Sequence, residues 1–247
     1  MTMQTPSPSG HILQAFDNEL DQLQHLALKM TALLQQQLEL MIEAFAEEDG
    51  EAALQLIAQS SHVTLLASAI DQEVLEVLAR HHPVANDLRA IIAIAKISAE
   101  LEKLNIELCE IARLLVGLFT HKANAAGVEL PEDIIRIAEL AETMLENLLL
   151  AFWNQQSNPA YALLQTSRNC EQSLQTIIKQ QLAFAVANAH LVGRTLEIIE
   201  ILKAFDHCCE YCRHIAESII FMVDGRDVRH LKLAEQAVVF GETTNGA

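Results

Sequence analysis

Asp206 and Glu210 are the two side chains in this sequence whose types and spacing best suit chemistry. Side chains at positions i and i+4 of a helix lie on one face about 6 Å apart, so the two carboxylates would stand together. Such a pair suits a divalent cation with oxygen ligands. A solvated acidic face is the simpler interpretation on spacing alone, because the chain carries 33 acidic residues.

Catalytic patterns are weak in this sequence. It contains no glycine-rich phosphate loop and no E-x-x-H pair, which argues against a di-iron helical bundle. His81 and His82 precede Pro83 at a predicted helix junction, where an exposed imidazole could accept a phosphoryl group. Turn and cap roles explain these histidines more simply. We therefore predict that the protein is not an enzyme.

Two apolar seams, 104 positions apart, define the elements that must position these side chains. Both seams advance by alternating steps of three and four residues, which predicts one buried stripe along each of two helices. The same register in both indicates an internal duplication. The seam residues are Ile94, Ile97, Leu101, Leu104, Leu108, Ile111, Leu115 and Leu118 in the first copy and Ile198, Ile201, Phe205, Cys208, Cys212, Ile215, Ile219 and Met222 in the second.

The duplication also separates the two copies chemically. Glu102 and Asp206 occupy the same position just after a seam residue, but Glu210 is matched by Ile106, which has no ligand atom. The expected divalent site is therefore unequal between the copies. Glu102 would need help from Glu100, Glu107 or another helix.

A cluster of thiols and imidazoles in the second copy resembles a zinc site. Its members are His207, Cys208, Cys209, Cys212 and His214. Four zinc ligands on a single helix are geometrically implausible. Cys208 and Cys212 are seam positions, so we predict that they fill core space as small hydrophobic residues. Cys209 and the two histidines are predicted to point elsewhere.

Breaks in the pattern predict six helices in an all-α fold of two tandem, internally duplicated antiparallel three-helix bundles. Short connections between helices require antiparallel neighbours. Asn86 or Asp87 is expected to cap the third helix. We predict a disordered arm over 1–10, a first bundle over 11–120, a linker over 121–130, a second bundle over 131–226 and a tail over 227–247.

Composition restricts the partners. A 51% hydrophobic chain with 8 Gly and 5 Pro suits a large helical core. The net charge of −17 argues against nucleic acid and anionic lipid, and it favours cationic ligands or a basic protein partner. Five cysteines without a secretory signal pattern suggest a reduced, cytosolic protein.

Two segments of the chain resemble the repeats of a known family. PVANDLRAI at 83–91, followed by AELEKLNIELCEIARLL at 99–115, is similar to the first repeat of the PhoU family of phosphate transport system regulatory proteins. That repeat has a P-x-x-x-D-L-R turn before a helix with an E-R-I-G-D-like motif. Residues 204–230 resemble the second repeat, including its closing G-x-D-x-R-H.

The resemblance implies a cytoplasmic, non-enzymatic regulator that is dimeric. Such proteins contact the ATPase of a phosphate ABC transporter and a membrane sensor histidine kinase, and they repress phosphate-starvation genes when phosphate is plentiful. Members bind metal ions on their surface through E/D-x-x-x-D motifs. The resemblance therefore also implies metal ligands in both repeats.

The expected metal ligands are only partly present. The first motif ends at Ile106 instead of an acid, whereas the second keeps Asp206 and Glu210. Ser60, Ser61 and His62 in helix two and Arg168 and Asn169 in helix five dilute the family's acidic positions. The resemblance leaves one divalent site in the second repeat, with Asp206, Glu210 and Glu171 as ligands and Glu102 as the remnant of a degenerate first site.

Three functions follow as alternatives. A binding regulator of phosphate uptake and signalling is the first. The second is a helical adaptor or structural protein that has drifted from the family and lost its metal dependence. The third, a metal-dependent helical enzyme, would need tightly bound metal with an open coordination position.

Overall fold

The computed structural model describes residues 8–48, 50–120 and 132–230. Over these residues the chain forms six α-helices and one 3₁₀ turn, which confirms the predicted all-α fold. The helices are α1 (Pro8–Glu47), α2 (Gly50–His81), α3 (Ala85–Thr120), α4 (Glu132–Trp153), α5 (Ser157–Ala187) and α6 (Val192–Asp224), with the 3₁₀ turn at Ala189–Leu191 between the last two.

Helices α1, α2 and α3 pack against one another as one bundle, and α4, α5 and α6 form the other. The bundles meet where α3 packs on α6 and α1 packs on α4. Glu100 on α3 contacts His214, and Glu107 contacts His207, so numbers rise on α3 as they fall on α6. The two duplicated helices are therefore antiparallel neighbours at the centre of the molecule.

The two predicted seams are buried along their whole length. Every seam residue from Ile94 to Leu118 and from Ile198 to Met222 is at most 7% exposed. Burying one such side chain contributes about 1.5–3 kcal/mol. Phe45 of α1 lies 6.1 Å from Phe205 of α6, ring centre to ring centre, so both bundles share one hydrophobic core.

Helix boundaries differ from the predictions at several points. α1 begins at Pro8, inside the predicted arm, because Pro is well tolerated in the first turn of a helix. α3 already begins at Ala85, so Asn86 and Asp87 lie in its first turn instead of capping it; an acid there still favours the positive helix end. Val228 is fully buried, beyond the predicted end of the second bundle. The predicted linker, 121–130, and residues 231–247 lie outside the described residues.

His81 has a structural role at the α2–α3 junction. Its Nε2 lies 2.9 Å from Glu19 Oε2, and its ring packs on Phe16 at 5.2 Å. Arg80 forms an ion pair with the same Glu19. These contacts tie the start of α1 to the end of α2 and support the structural interpretation of His81.

Helix α2 is apolar enough and long enough to cross a membrane by length and composition alone, and the bent α5–α6 pair passes the same test if it is counted as one span. In this structure α2 packs along α1 and α3, with Leu56, Val63 and Ile70 fully buried in the bundle. The apolar character of α2 is therefore partly explained by its place in the core.

The Arg of the P-x-x-x-D-L-R segment holds the end of α6. Arg89 Nε donates a hydrogen bond to the carbonyl oxygen of Met222 at 3.1 Å. Gly225 caps α6 directly after Asp224: its φ of 71° lies in the left-handed region, and its N–H donates a hydrogen bond to the Phe221 carbonyl oxygen. A Cβ at Gly225 would overlap the Arg89 guanidinium, and the positive φ itself favours glycine here.

Gly225→Ala should lower the free energy of unfolding by about 1–2 kcal/mol, because an L-residue is strained at this φ and its methyl group would overlap Arg89. Urea denaturation measures the change. Gly193→Ala is the matched control, since a Cβ there meets no atom within 4 Å. Equal stabilities for Gly225→Ala and the wild type would contradict this role.

Candidate functional site

Three of the four predicted ligands come together at one recess between α5 and α6. Asp206 and Glu210 of α6 and Glu171 of α5 line a recess of about 130 Å³, which we call the acidic recess. The helix repeat places the α6 pair on one face, as predicted, and α5 supplies the third carboxylate. The remaining lining residues are Ser167, Cys209 and Arg213.

The charges in the acidic recess oppose one another. Burial raises the pKa of Asp206 above its ordinary value, and the negative charges of Glu171 and Glu210 raise it further. His207 works in the opposite direction. An added positive charge would therefore stabilise the ionised form of Asp206.

Arg213 already brings a positive charge to this recess. Its Nη2 lies 3.4 Å from Glu210 Oε1, and its Nη1 lies 2.7 Å from Glu217 Oε1. The Glu217 side chain is only 4% exposed, so its pairing with Arg213 is needed to offset burial of the charge. Arg213 was not among the predicted site residues, although its spacing of three residues from Glu210 was a signal.

The donor set of the acidic recess fits a hard divalent cation, because all three carboxylates are oxygen ligands. As placed, however, no group of three or more His, Cys, Asp or Glu side chains within residues 8–48, 50–120 and 132–230 is arranged to hold a metal ion. Metal binding by Asp206, Glu210 and Glu171 stays a prediction.

Glu102 does not join the acidic recess. It lies on α3 in the first bundle, and Ile106, at the position that matches Glu210, is 59% exposed. Next to it, buried Asn105 donates a hydrogen bond to Ser60 Oγ at 3.0 Å and accepts one from Gln37 at 2.9 Å. The first bundle thus has a polar contact among α1, α2 and α3 where the second has carboxylates and thiols.

The cysteines confirm one prediction and correct another. Cys208 and Cys212 are buried in the core, as the seam predicts. Cys209 was expected to point elsewhere, but it is also buried, with its Sγ 2.7 Å from Cys170 Sγ on α5. The prediction failed because α3, α4 and α5 all pack on α6, which buries more than the seam face.

His207 and His214, the two histidines of the cluster that resembles a zinc site, face α3 instead of the thiols. His207 Nδ1 lies 3.1 Å from Glu107 Oε1, and His214 Nδ1 lies 3.3 Å from Glu100 Oε2. Hydrogen bonds from His214 and Lys103 outweigh burial and hold the pKa of Glu100 below its usual value. These polar pairs join the two bundles beside the apolar seams.

Comparison with known proteins now adds to this geometry. The family model of the PhoU domain matches residues 27–115. The chain is 27% identical over 227 residues to a phosphate-specific transport system accessory protein PhoU homolog of Pseudomonas putida, covering 92% of this chain and 88% of that protein. It is 24% identical to the phosphate-specific transport system accessory protein PhoU of Escherichia coli, covering 90% of both.

Solved structures show the same architecture. The crystal structure of PhoU from Pseudomonas aeruginosa superposes with a TM-score of 0.80 at 26% identity, covering 85% of this chain and 100% of that one. The phosphate transport system regulatory protein PhoU from Streptococcus pneumoniae gives a TM-score of 0.77 at 23% identity, covering 86% and 99%. The likeness therefore extends across both bundles.

Asp206→Asn should raise the free energy of unfolding at neutral pH. The folded-state pKa of Asp206 is raised, so its stabilising contribution is complete below the unfolded value near 3.8 and is lost as pH rises through the folded value. Removing the charge should gain at least the ~0.2–0.5 kcal/mol that like charges at i and i+4 cost.

Urea denaturation at pH 7 and at pH 3 checks the effect, which should vanish at the lower pH. Glu102→Gln is the matched control, because its i+4 neighbour is Ile106. A loss of stability at pH 7 in Asp206→Asn would show that its charge is stabilising and would contradict this account of the recess.

Proposed function

We propose that this chain, which belongs to the PhoU family, is a regulatory accessory protein of a phosphate transport system. The whole-length similarity to PhoU proteins carries the proposal, because it covers both three-helix bundles and the segment that joins them in sequence. A short shared motif would support only a common domain. The proposal includes no catalytic step.

The regulator acts by contact with other proteins at the cytoplasmic side of the membrane. Its partners are the ATPase of a phosphate ABC transporter and a sensor histidine kinase, and its effect is repression of phosphate-starvation genes when phosphate is plentiful. It works as a homodimer. The name of the E. coli relative, an accessory protein of the phosphate-specific transport system, supports the association with the transporter.

The outer face of α2 offers a surface that suits a protein partner. Leu54, Leu65 and Leu75 are between 55% and 68% exposed on this helix. No Asp, Glu, Lys or Arg occurs between Glu51 and Asp71, the stretch that contains Leu54 and Leu65, although the chain as a whole is strongly acidic. Exposed apolar side chains in an uncharged surface are typical of protein–protein contacts. We therefore propose that this face of α2 contacts the transporter ATPase.

The acidic recess holds at most one divalent cation, through Asp206, Glu210 and Glu171. The ion would neutralise the three carboxylates and offset both the burial and the negative charges of Glu171 and Glu210, which together raise the pKa of Asp206. Arg213 competes with it, because its guanidinium pairs with Glu210. That ion pair also favours the second candidate, a helical adaptor or structural protein that has drifted from the family and lost its metal dependence.

Divalent cation binding tests whether the acidic recess keeps a metal site. Isothermal titration calorimetry of the metal-free protein with Mn²⁺ should show one weak binding site, and the Asp206→Asn variant should lose it. Arg213→Ala should bind several-fold more tightly, because it frees Glu210 and removes a positive charge near the ion. Absence of binding in both the wild type and Arg213→Ala would reject the metal site.

Leu65→Glu should weaken association with the transporter ATPase at least tenfold in Kd, because it places a charge in the apolar surface of α2. Surface-immobilised ATPase and purified variants measure this directly. Leu196→Glu is the matched control, since Leu196 is 48% exposed on α6 in the other bundle. Equal loss in both variants, or none in Leu65→Glu, would remove α2 as the contact surface.

A further inference from the structure

Four of the five cysteines lie on α5 and α6. Cys170 comes from α5, while Cys208, Cys209 and Cys212 come from α6, and all four are buried as free thiols. One pair is far closer than packing requires. The Sγ atoms of Cys170 and Cys209 are 2.7 Å apart, well inside the roughly 3.5–4.0 Å at which non-bonded heavy atoms reach their best separation.

The geometry points to Cys170 and Cys209 as a site of reversible oxidation to an intramolecular disulfide by a peroxide. A disulfide has a sulfur–sulfur distance of about 2.05 Å, so closure requires an approach of about 0.7 Å. Ser167 Oγ donates a hydrogen bond to the Cys209 carbonyl oxygen at 3.0 Å, which fixes α5 against α6 within one turn of the thiols.

The internal duplication supports a contact between helices at the position of Cys209. Cys209 matches Asn105, which is 104 positions earlier and also buried. Asn105 joins α3 to α2 through Ser60 and to α1 through Gln37. The second bundle has a thiol pair between helices where the first bundle has hydrogen bonds between helices.

Each of the two cysteines borders a cavity at the protein surface. Cys170 lines a groove of about 780 Å³ between α4 and α5, and Cys209 lines the acidic recess. Each residue is only 1% exposed, so the oxidant must be as small as hydrogen peroxide. The hydrogen bond that the Cys209 thiol shares with Cys170, together with burial, raises the pKa of Cys209, which makes Cys209 a poor first nucleophile.

Cys170 therefore reacts first, from the larger groove. Its thiolate attacks one peroxide oxygen, the O–O bond breaks, and the departing hydroxide takes the thiol proton to leave as water. Cys209 Sγ then attacks the sulfenic sulfur, the S–O bond breaks, and the second hydroxide leaves as water with the Cys209 proton. Two thiols and one hydrogen peroxide give one disulfide and two waters.

The test uses the native full-length chain, treated with hydrogen peroxide, alkylated, denatured and digested with trypsin. Peptides 169–179 and 204–213 should appear joined and two hydrogens lighter than their sum, and dithiothreitol should release them. Because the second peptide contains Cys208, Cys209 and Cys212, variants identify the partner.

The Cys209→Asn variant should no longer give the joined peptides. Its asparagine is the residue that the first bundle has at the matching position, Asn105. Cys170→Ser is a second variant that should also lose the joined peptides. Cys208→Ser and Cys212→Ser are the matched controls and should keep them. Separate peptides in the oxidised wild type, or a joined pair that persists in Cys209→Asn, would overturn the proposal.

Discussion

The packing of α3 against α6 is the contact on which the rest of the structure depends. Both helices contribute an unbroken apolar seam, and both seams are buried because the helices run antiparallel through the shared core. This constraint leaves no room for polar chemistry on the seam faces. Polar and titratable side chains are displaced to the flanks, where Glu100 and Glu107 meet His214 and His207 and where the acidic recess opens toward α5.

The two bundles keep the same architecture while their flanks differ. In the first bundle, Asn105 closes a buried hydrogen-bonded contact and Ile106 stands exposed beside it. In the second bundle, the same two positions are Cys209, against another thiol, and Glu210, paired with Arg213. Core packing requires apolar side chains at the seam positions of both copies. It does not require the same side chains at the flanking positions, and there the two copies differ.

The features that could be predicted from the sequence are those that depend on helical periodicity. The burial of Cys208 and Cys212 and the shared face of Asp206 and Glu210 follow from a repeat of about 3.6 residues and were recovered. The position of Cys209 was not, because a single seam cannot reveal that α6 is covered by α3, α4 and α5 together. The Arg213–Glu217 pair was missed for the same reason, since a charge is buried there only because of tertiary neighbours.

On the proposed function, this helical protein regulates through contacts at its surface, and the acidic recess is secondary. The most direct test deletes the gene in its own host and measures a phosphate-starvation reporter in phosphate-rich medium. The account predicts constitutive expression in the deletion strain, with repression restored by the wild-type gene supplied in trans. Normal repression in the deletion strain would contradict it.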